Sequence, residues 1–423
     1  MSARDVARRV LDRVDKDGAW ATLTLDGELA RSGLDERDRR LVSELVYGVL
    51  RNRTRIDRAL AAHADLSRPP PKVRTALRVA AYQLLFLDRV PAYAAVDDAV
   101  AAARVLGGQK LAGFCNAVLR KVNSVREPAL PEAGLERLEI EHSLPRWILD
   151  ELAATIAGTD LELAALAAAF NQAAPITARV NRLRTTREAV AEHLQAAGVT
   201  AAPVELAPMA LRLDGIGDPS RSPSFIAGNW TVQDPGAQLV GHLASPRAGQ
   251  RILDACAGVG GKSTHLAELS DDAATIDAAD QSQTKLGLLA HTAQRLGITS
   301  IRRHTCDLLD PAAPLADAYD LIVLDAPCSG LGVLRRHPDA KWRLPPETVP
   351  RLAALQAKLL DAVVKRLAPG GALVYAVCTF TRAEGPQQIA ALVARHPQLR
   401  LVEERRTWPP EADAFYLARL ERS

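Results

Sequence analysis

From about residue 225 to the end, the chain alternates between two patterns. The runs ILDAC, TIDAAD, IRRHTCD, YDLIVLDAP and GGALVYAVC are short, apolar and rich in β-branched residues. Between them lie HLAELS, KLGLLAHTAQRLG and VPRLAALQAKLLDAVVKRL, which carry helical spacing. Strands that alternate with helices predict a mostly parallel sheet with helices on both faces, an α/β Rossmann-like fold. Such a sheet presents ligands at the carboxyl ends of its strands. The search for chemistry therefore starts at the last residues of each run.

The preceding residues follow other rules. Residues 1–125 repeat apolar positions four apart, as in Val6, Val10, Val14 and Leu41, Leu45, Val49. They predict an all-helical domain, interrupted at Pro69-Pro70-Pro71 and stopped at Gly107-Gly108. Residues 126–142 contain Pro128 and Pro131 and read as a linker. Residues 143–224 read as an Ala-rich helical segment and a small α/β subdomain of strand, helix, strand, strand. Residues 225–423 form the α/β domain.

Charge is uneven along these parts. The whole chain carries +3, but residues 1–125 hold 22 Lys and Arg against 15 Asp and Glu. A basic domain predicts a polyanionic partner bound through sequence-independent, salt-sensitive contacts. The five cysteines are scattered and include no C-x-x-C pair, which argues against a disulfide framework or a structural zinc site. No apolar leader or membrane-length run occurs, so the expectation is a cytoplasmic, metal-free monomer.

Cys256, Ala257, Gly258, Val259, Gly260, Gly261 and Lys262 follow an apolar strand and open a helix. Glycines there permit a sharp turn and close approach of a ligand. Asp280 closes the next strand, where a carboxylate can accept from ribose hydroxyls. Asp307 closes the third, beside the expected position of an adenine. The turn is neither G-x-G-x-x-G nor a P-loop, because Cys256 stands where a P-loop needs glycine. A structural turn and a nicotinamide site remain alternatives to S-adenosylmethionine. Lys262 is one of only nine lysines among 53 basic residues, which suggests a need for a compact ammonium at this point.

Two strands end in thiols, at Asp325-Ala326-Pro327-Cys328 and at Cys378. Carbon 5 of cytosine is too electron-poor to attack a methyl group. A thiolate added at carbon 6 turns the ring into an enamine-like nucleophile, and loss of the carbon-5 proton later expels the sulfur. This is covalent catalysis, with Asp325 suited to hold the base and a second thiol to assist proton removal or release. Cys115, Cys256 and Cys306 read instead as small buried hydrophobes.

The segments LDAPCSGLGVLRRHPDAKW and VQDPGAQL resemble the bacterial RsmB (Sun/Fmu) family of small-subunit ribosomal RNA cytosine-5 methyltransferases. Residues 1–125 are similar to the helical NusB-type domain fused to that family. The resemblance implies that Cys378 is the nucleophile and Cys328 the releasing residue. It implies that residues 256–262 with Asp280, Asp307 and Asp325 hold S-adenosylmethionine, and that the partner is RNA, most simply 16S ribosomal RNA. Three positions depart from the family. Val259 replaces a proline, Val377-Cys378-Thr379 replaces Thr-Cys-Ser, and Ala383-Glu384-Gly385 replaces a segment ending in Glu-Asn. Rival readings are the same chemistry on transfer RNA and an RNA-binding module with an inactive methyltransferase domain.

Overall fold

A computed structural model describes residues 2–423; Met1, the first residue of the predicted helical domain, lies outside them. The chain forms two compact units. The first comprises Met1–Gln172 with Leu334–Pro345, the second Ala173–Val333 with Pro346–Ser423.

The first unit is helical: α1 (Ala3–Asp17), α2 (Ala21–Ser32), α3 (Glu36–Arg51), α4 (Arg53–Ala61), α5 (Pro71–Phe86), α6 (Ala92–Val125), α7 (Leu135–Glu141), α8 (Arg146–Ile156) and α9 (Leu163–Asn171). Local chemistry explains several boundaries. Ser2 and Asp5 form a capping box at the start of α1, and Gly18 closes it at φ 62°. Pro71 occupies the first turn of α5, where a missing N–H matters least. Val6, Val10 and Val14 of α1 are buried against Leu45 and Val49 of α3 and against α5. The expected stop at Gly107-Gly108 is a two-residue break, with Gly108 at φ 70°, after which the helix resumes.

The second unit begins with β1 (Ile176–Val180), α10 (Arg187–Ala196), β2 (Thr200–Pro203), β3 (Ala210–Asp214), α11 (Pro223–Ile226) and β4 (Trp230–Val232). Its four strands form an antiparallel sheet in the order β2-β3-β1-β4. After α12 (Pro235–Ala244) come β5 (Arg251–Ala255), α13 (Gly261–Leu269), β6 (Thr275–Asp280), α14 (Gln283–Leu296), β7 (Ile301–Thr305) and β8 (Tyr319–Asp325). The chain continues through α15 (Ala340–Arg343), α16 (Thr348–Val364), β9 (Leu367–Val377), α17 (Pro386–Arg395), β10 (Leu399–Arg406) and β11 (Tyr416–Arg422).

These strands make a seven-stranded sheet in the order β10-β11-β9-β8-β5-β6-β7. The five strands from β9 to β7 are parallel, and β11 runs antiparallel to both neighbours. Successive residues of a strand face opposite sides. Ile252 and Val323 thus pack with Leu266 and Leu289 on one side, while Leu253, Ile322 and Leu324 pack with Leu360 and Val363 on the other. Burial on both faces is why the run Leu321-Ile322-Val323-Leu324 has no polar alternation.

The segment Leu334–Pro345 leaves this unit and is anchored in the helical one. Trp342 Nε1 donates to the Leu50 carbonyl at 2.8 Å, and Lys341 Nζ to Asn171 Oδ1 at 2.6 Å. Burial pushes the Lys341 ammonium down to about 7.

Candidate active site

The glycine turn is built by left-handed backbone: Cys256, Gly258 and Gly260 sit at φ 65°, 56° and 84°. The two glycines serve different ends. A Cβ on Gly260 would meet Leu289 Cγ at 2.3 Å, so this glycine lets α14 pack closely. A Cβ on Gly258 would meet nothing nearer than the Cys256 carbonyl oxygen at 4.0 Å. Its side faces open space, as a backbone that cradles a ligand must. Asp280 fixes the turn from β6, accepting from Gly258 N at 2.9 Å and from Ser282 N at 2.8 Å. Beneath the turn, Ser263 Oγ donates to the fully buried Asp254 at 2.5 Å. Burial, only partly offset by that bond, pushes the Asp254 carboxyl up to about 7.

A cavity of about 450 Å³ opens beside the turn. It is lined by Cys256, Gly258, Asp280, Cys306, Asp307, Asp325, Cys328 and Cys378, with Gln281, Lys285, Leu308, Leu309, Leu355 and Leu359 also on its wall. Carboxylates from three strand ends, an open glycine and apolar walls suit a ribose–adenine ligand. Ala257, Val259, Gly260, Gly261 and Lys262 are not among its lining residues. Val259 is exposed, and the Gly261 carbonyl is turned away to accept from Arg179 at 2.8 Å. Cys256 and Cys306 border the cavity as well as packing on the core, whereas Cys115 is buried among the helices. Burial pushes the Cys256 thiol up to about 12, with Asp325 and Asp280 adding to the shift.

The two thiols meet because β8 and β9 are adjacent parallel strands, paired at Asp325 and Ala376. Cys328 and Cys378 follow those residues closely, and their sulfurs lie 3.4 Å apart. The bond between them and burial push Cys328 well above its ordinary value. Lys262 Nζ contacts Asp325 Oδ2 at 2.5 Å and lies over the Phe415 ring. Burial opposes the Lys262 charge, but Asp325 outweighs it, with a contribution from Cys378, so the ammonium is held above its usual range.

Sequence reasoning missed the supporting residues. Arg179 of β1 is fully buried and donates to Glu268 at 2.8 and 3.0 Å, to Gln233 Oε1, to Thr264 Oγ1 and to the Gly261 carbonyl. It ties the antiparallel sheet to the helix that the glycine turn opens. Gln233, within VQDPGAQL, also donates to the Gly261 carbonyl at 3.2 Å. The only prior signal for this network was an arginine within an apolar run.

Comparison with known proteins bears on what such a site is for. Residues 242–421 match the family described as 16S rRNA methyltransferase RsmB/F. Residues 1–124 match the NusB family, and residues 144–218 the ferredoxin-like domain of RsmF/B-like methyltransferases. "Probable ribosomal RNA small subunit methyltransferase B" of Synechocystis sp. is 36% identical over 406 residues, covering 95% of this chain and 91% of the relative. Ribosomal RNA small subunit methyltransferase B of Vibrio cholerae is 35% identical over 414 residues, covering 93% and 92%. The crystal structure of PH0851 shares the fold, with a TM-score of 0.84 at 23% identity over 100% of this chain and 99% of that one. With three domain matches in order and relatives aligned almost end to end, the chain belongs to the S-adenosylmethionine-dependent RsmB/F family of 16S ribosomal RNA methyltransferases.

Proposed function

We propose that this protein methylates carbon 5 of a cytosine in RNA, in keeping with the 16S ribosomal RNA named for its relatives, through a transient bond between Cys378 and carbon 6 of the base. The observation that carries the reading is the pair of sulfurs 3.4 Å apart on the wall of a cavity that also includes the glycine turn. Two contacting thiols do not ionise together. The contact with Cys378 and burial push the Cys328 thiol well above its ordinary value, which favours its protonated form beside an attacking sulfur at Cys378. Lys262 supplies positive charge within electrostatic reach of that sulfur.

S-adenosylmethionine supplies the electrophilic methyl group. Asp280, Asp307 and the open backbone at Gly258 would hold its ribose and adenine, with the rest of residues 256–262 shaping the turn. Asp325, on the cavity wall, is suited to accept from the exocyclic amine of the base and so hold carbon 6 against Cys378. Addition of the thiolate places an electron pair at carbon 5, which takes the methyl group. Cys378 is then a thioether, and Cys328 no longer faces a neighbouring anion. Once Cys328 has given its proton to solvent through the cavity, its thiolate can take the carbon-5 proton; the released pair restores the ring double bond and expels Cys378.

The target base must leave its stack to enter a cavity of this size. The excess of Lys and Arg in residues 1–125, with Lys72, Lys110 and Lys121 exposed, supports phosphate contacts by the helical domain.

Single-turnover methylation of ribosomal RNA tests the assignment. Cys378→Ala is expected to abolish transfer while S-adenosylmethionine still binds by calorimetry. Cys328→Ala is expected to accumulate a protein–RNA adduct on denaturing gels. Normal turnover by Cys378→Ala would overturn the nucleophile assignment, and full activity without an adduct in Cys328→Ala would overturn the releasing role.

A further inference from the structure

Glu384 lies just beyond the Cys378 loop and is fully buried. Its carboxylate collects four hydrogen bonds. Ser329 N donates to Oε1 at 2.7 Å and Ser329 Oγ to Oε2 at 2.5 Å. Thr381 Oγ1 donates to Oε2 at 2.9 Å, and Gln356 Nε2 to Oε1 at 3.1 Å. All four donors are neutral. They satisfy both oxygens of a carboxyl group that is shut off from water.

The donors come from three places. Ser329 follows Cys328, and Thr381 lies three residues after Cys378. Gln356, on α16, also donates to the Pro327 carbonyl at 3.0 Å, the residue before Cys328. The Ser329 hydroxyl proton goes to Glu384, so at 2.9 Å Thr379 Oγ1 donates to Ser329 Oγ. The residue after each thiol is therefore bonded to its counterpart, and one carboxylate clamps both loops. Tyr375 OH in turn holds the Glu384 carbonyl at 2.7 Å.

We propose that Glu384 is a positioning residue whose hydrogen bonds to Ser329 and Thr381 hold the Cys328 and Cys378 sulfurs in contact. The proposal deepens the two-thiol reading above and rests on it for its catalytic consequence. Its geometric half stands apart, because thiol spacing can be read without any methyl transfer.

Two variants separate geometry from charge. Glu384→Ala removes every acceptor and leaves Ser329 N–H buried without a partner. Glu384→Gln keeps an oxygen for Ser329 N–H and Gln356, while its amide donates to the Ser329 and Thr381 hydroxyls, which can rotate to accept. The first readout is the rate of Cys328–Cys378 disulfide formation with diamide in the full-length protein, followed by mass spectrometry of the linked peptides. A zero-length cross-link needs the sulfurs to approach bonding distance. The second readout is single-turnover methylation with KM for RNA. A shift of about 1 Å in a reacting group costs on the order of 100-fold in rate. Glu384→Ala is expected to slow cross-linking and to lower kcat by roughly 10- to 100-fold with KM little changed, and Glu384→Gln to recover most of both.

Wild-type cross-linking in Glu384→Ala, or a Glu384→Gln as impaired as Glu384→Ala, would overturn the proposal. If Glu384→Ala fails to fold, Thr381→Val removes one hydroxyl donor to Glu384 and should slow cross-linking in the same direction; an unchanged rate would refute the clamp. Methylation by Cys378→Ala would sink the nucleophile reading instead, leaving the cross-linking comparison intact.

Discussion

Arg179→Met should damage the second unit more than any single change at the surface, and the structure sets the size. Arg179 and Glu268 are 0% and 1% exposed at their side chains. All five N–H groups of the guanidinium are used, two of them on the Glu268 carboxylate. Removing one member of a buried pair strands the other charge, at about 3–5 kcal/mol. For a unit of this size each kcal/mol lowers the melting temperature by about 2–4 °C, so the fall should be roughly 6–20 °C. Burial already holds the Glu268 carboxyl above its usual range despite the pull of Arg179, and the variant should raise it further. A carboxyl raised in the native state favours folding most below its unfolded pKa and loses that contribution as pH rises through the native value. The deficit of Arg179→Met relative to wild type should therefore shrink as pH falls from 8 towards 5. Adding Glu268→Gln in the same chain removes the stranded charge and should restore much of the loss. Thermal melts of the two single variants and the double variant across that pH range form the assay. A fall below about 2 °C for Arg179→Met, or no recovery in the double variant, would refute the view that an unpaired charge sets the penalty.

Two further outcomes follow from the glycine turn. Gly260→Ala combines an unfavourable φ of 84° with a clash at Leu289 and should destabilise by about 2–5 kcal/mol. Gly258→Ala carries only the backbone strain, about 1–2 kcal/mol, and should weaken S-adenosylmethionine binding in calorimetry more than it lowers the melting temperature. Asp254, with its native carboxyl at about 7, should make wild type lose stability as pH rises through 7. Asp254→Asn should flatten that dependence, and an identical pH profile would show that Asp254 is not the group responsible.

What the sequence disclosed and what it withheld divide by distance along the chain. The glycine turn, Asp280 and Asp307 were legible because strand, turn and helix are written within a few consecutive residues. The two thiols were legible because each ends an apolar run, and adjacent parallel strands carry such ends to one edge. Lys262 stood out only because lysine is scarce here, and its partner Asp325 lies 63 residues away. Arg179 and Glu268 are 89 apart, and Ser329 and Glu384 are 55 apart. No local pattern marks such pairs, since an arginine in a strand usually faces water. The RRHPDAKW segment was visible as a motif, but nothing in it told that Trp342 would bond Leu50, 292 residues earlier. Gly107-Gly108 read as a stop because glycine weakens helices; packing of the residues beyond it restarts the helix.

The three departures from the family pattern can be weighed against the idea of a decayed domain. Decay leaves residues that no longer fit their neighbours, whereas each replacement here fits. Thr379 keeps the one feature of serine the site uses, a hydroxyl 2.9 Å from Ser329 Oγ. A side chain at Gly385 would meet Tyr416 Cγ at 3.0 Å and the Thr381 carbonyl oxygen at 3.2 Å. The absence of one there matches the buried Tyr416 ring, whose strand pairs with β9 at Val377. Val259 is 53% exposed and contributes nothing to the cavity wall, so losing a proline leaves the lining unchanged. Meanwhile the features on which the proposed chemistry rests are in place: two free thiols in contact, a lysine drawn to Asp325 beside them, and a glycine facing open space. A chain retained only to grip RNA would have no physical reason to keep a left-handed glycine open to the cavity at residue 258.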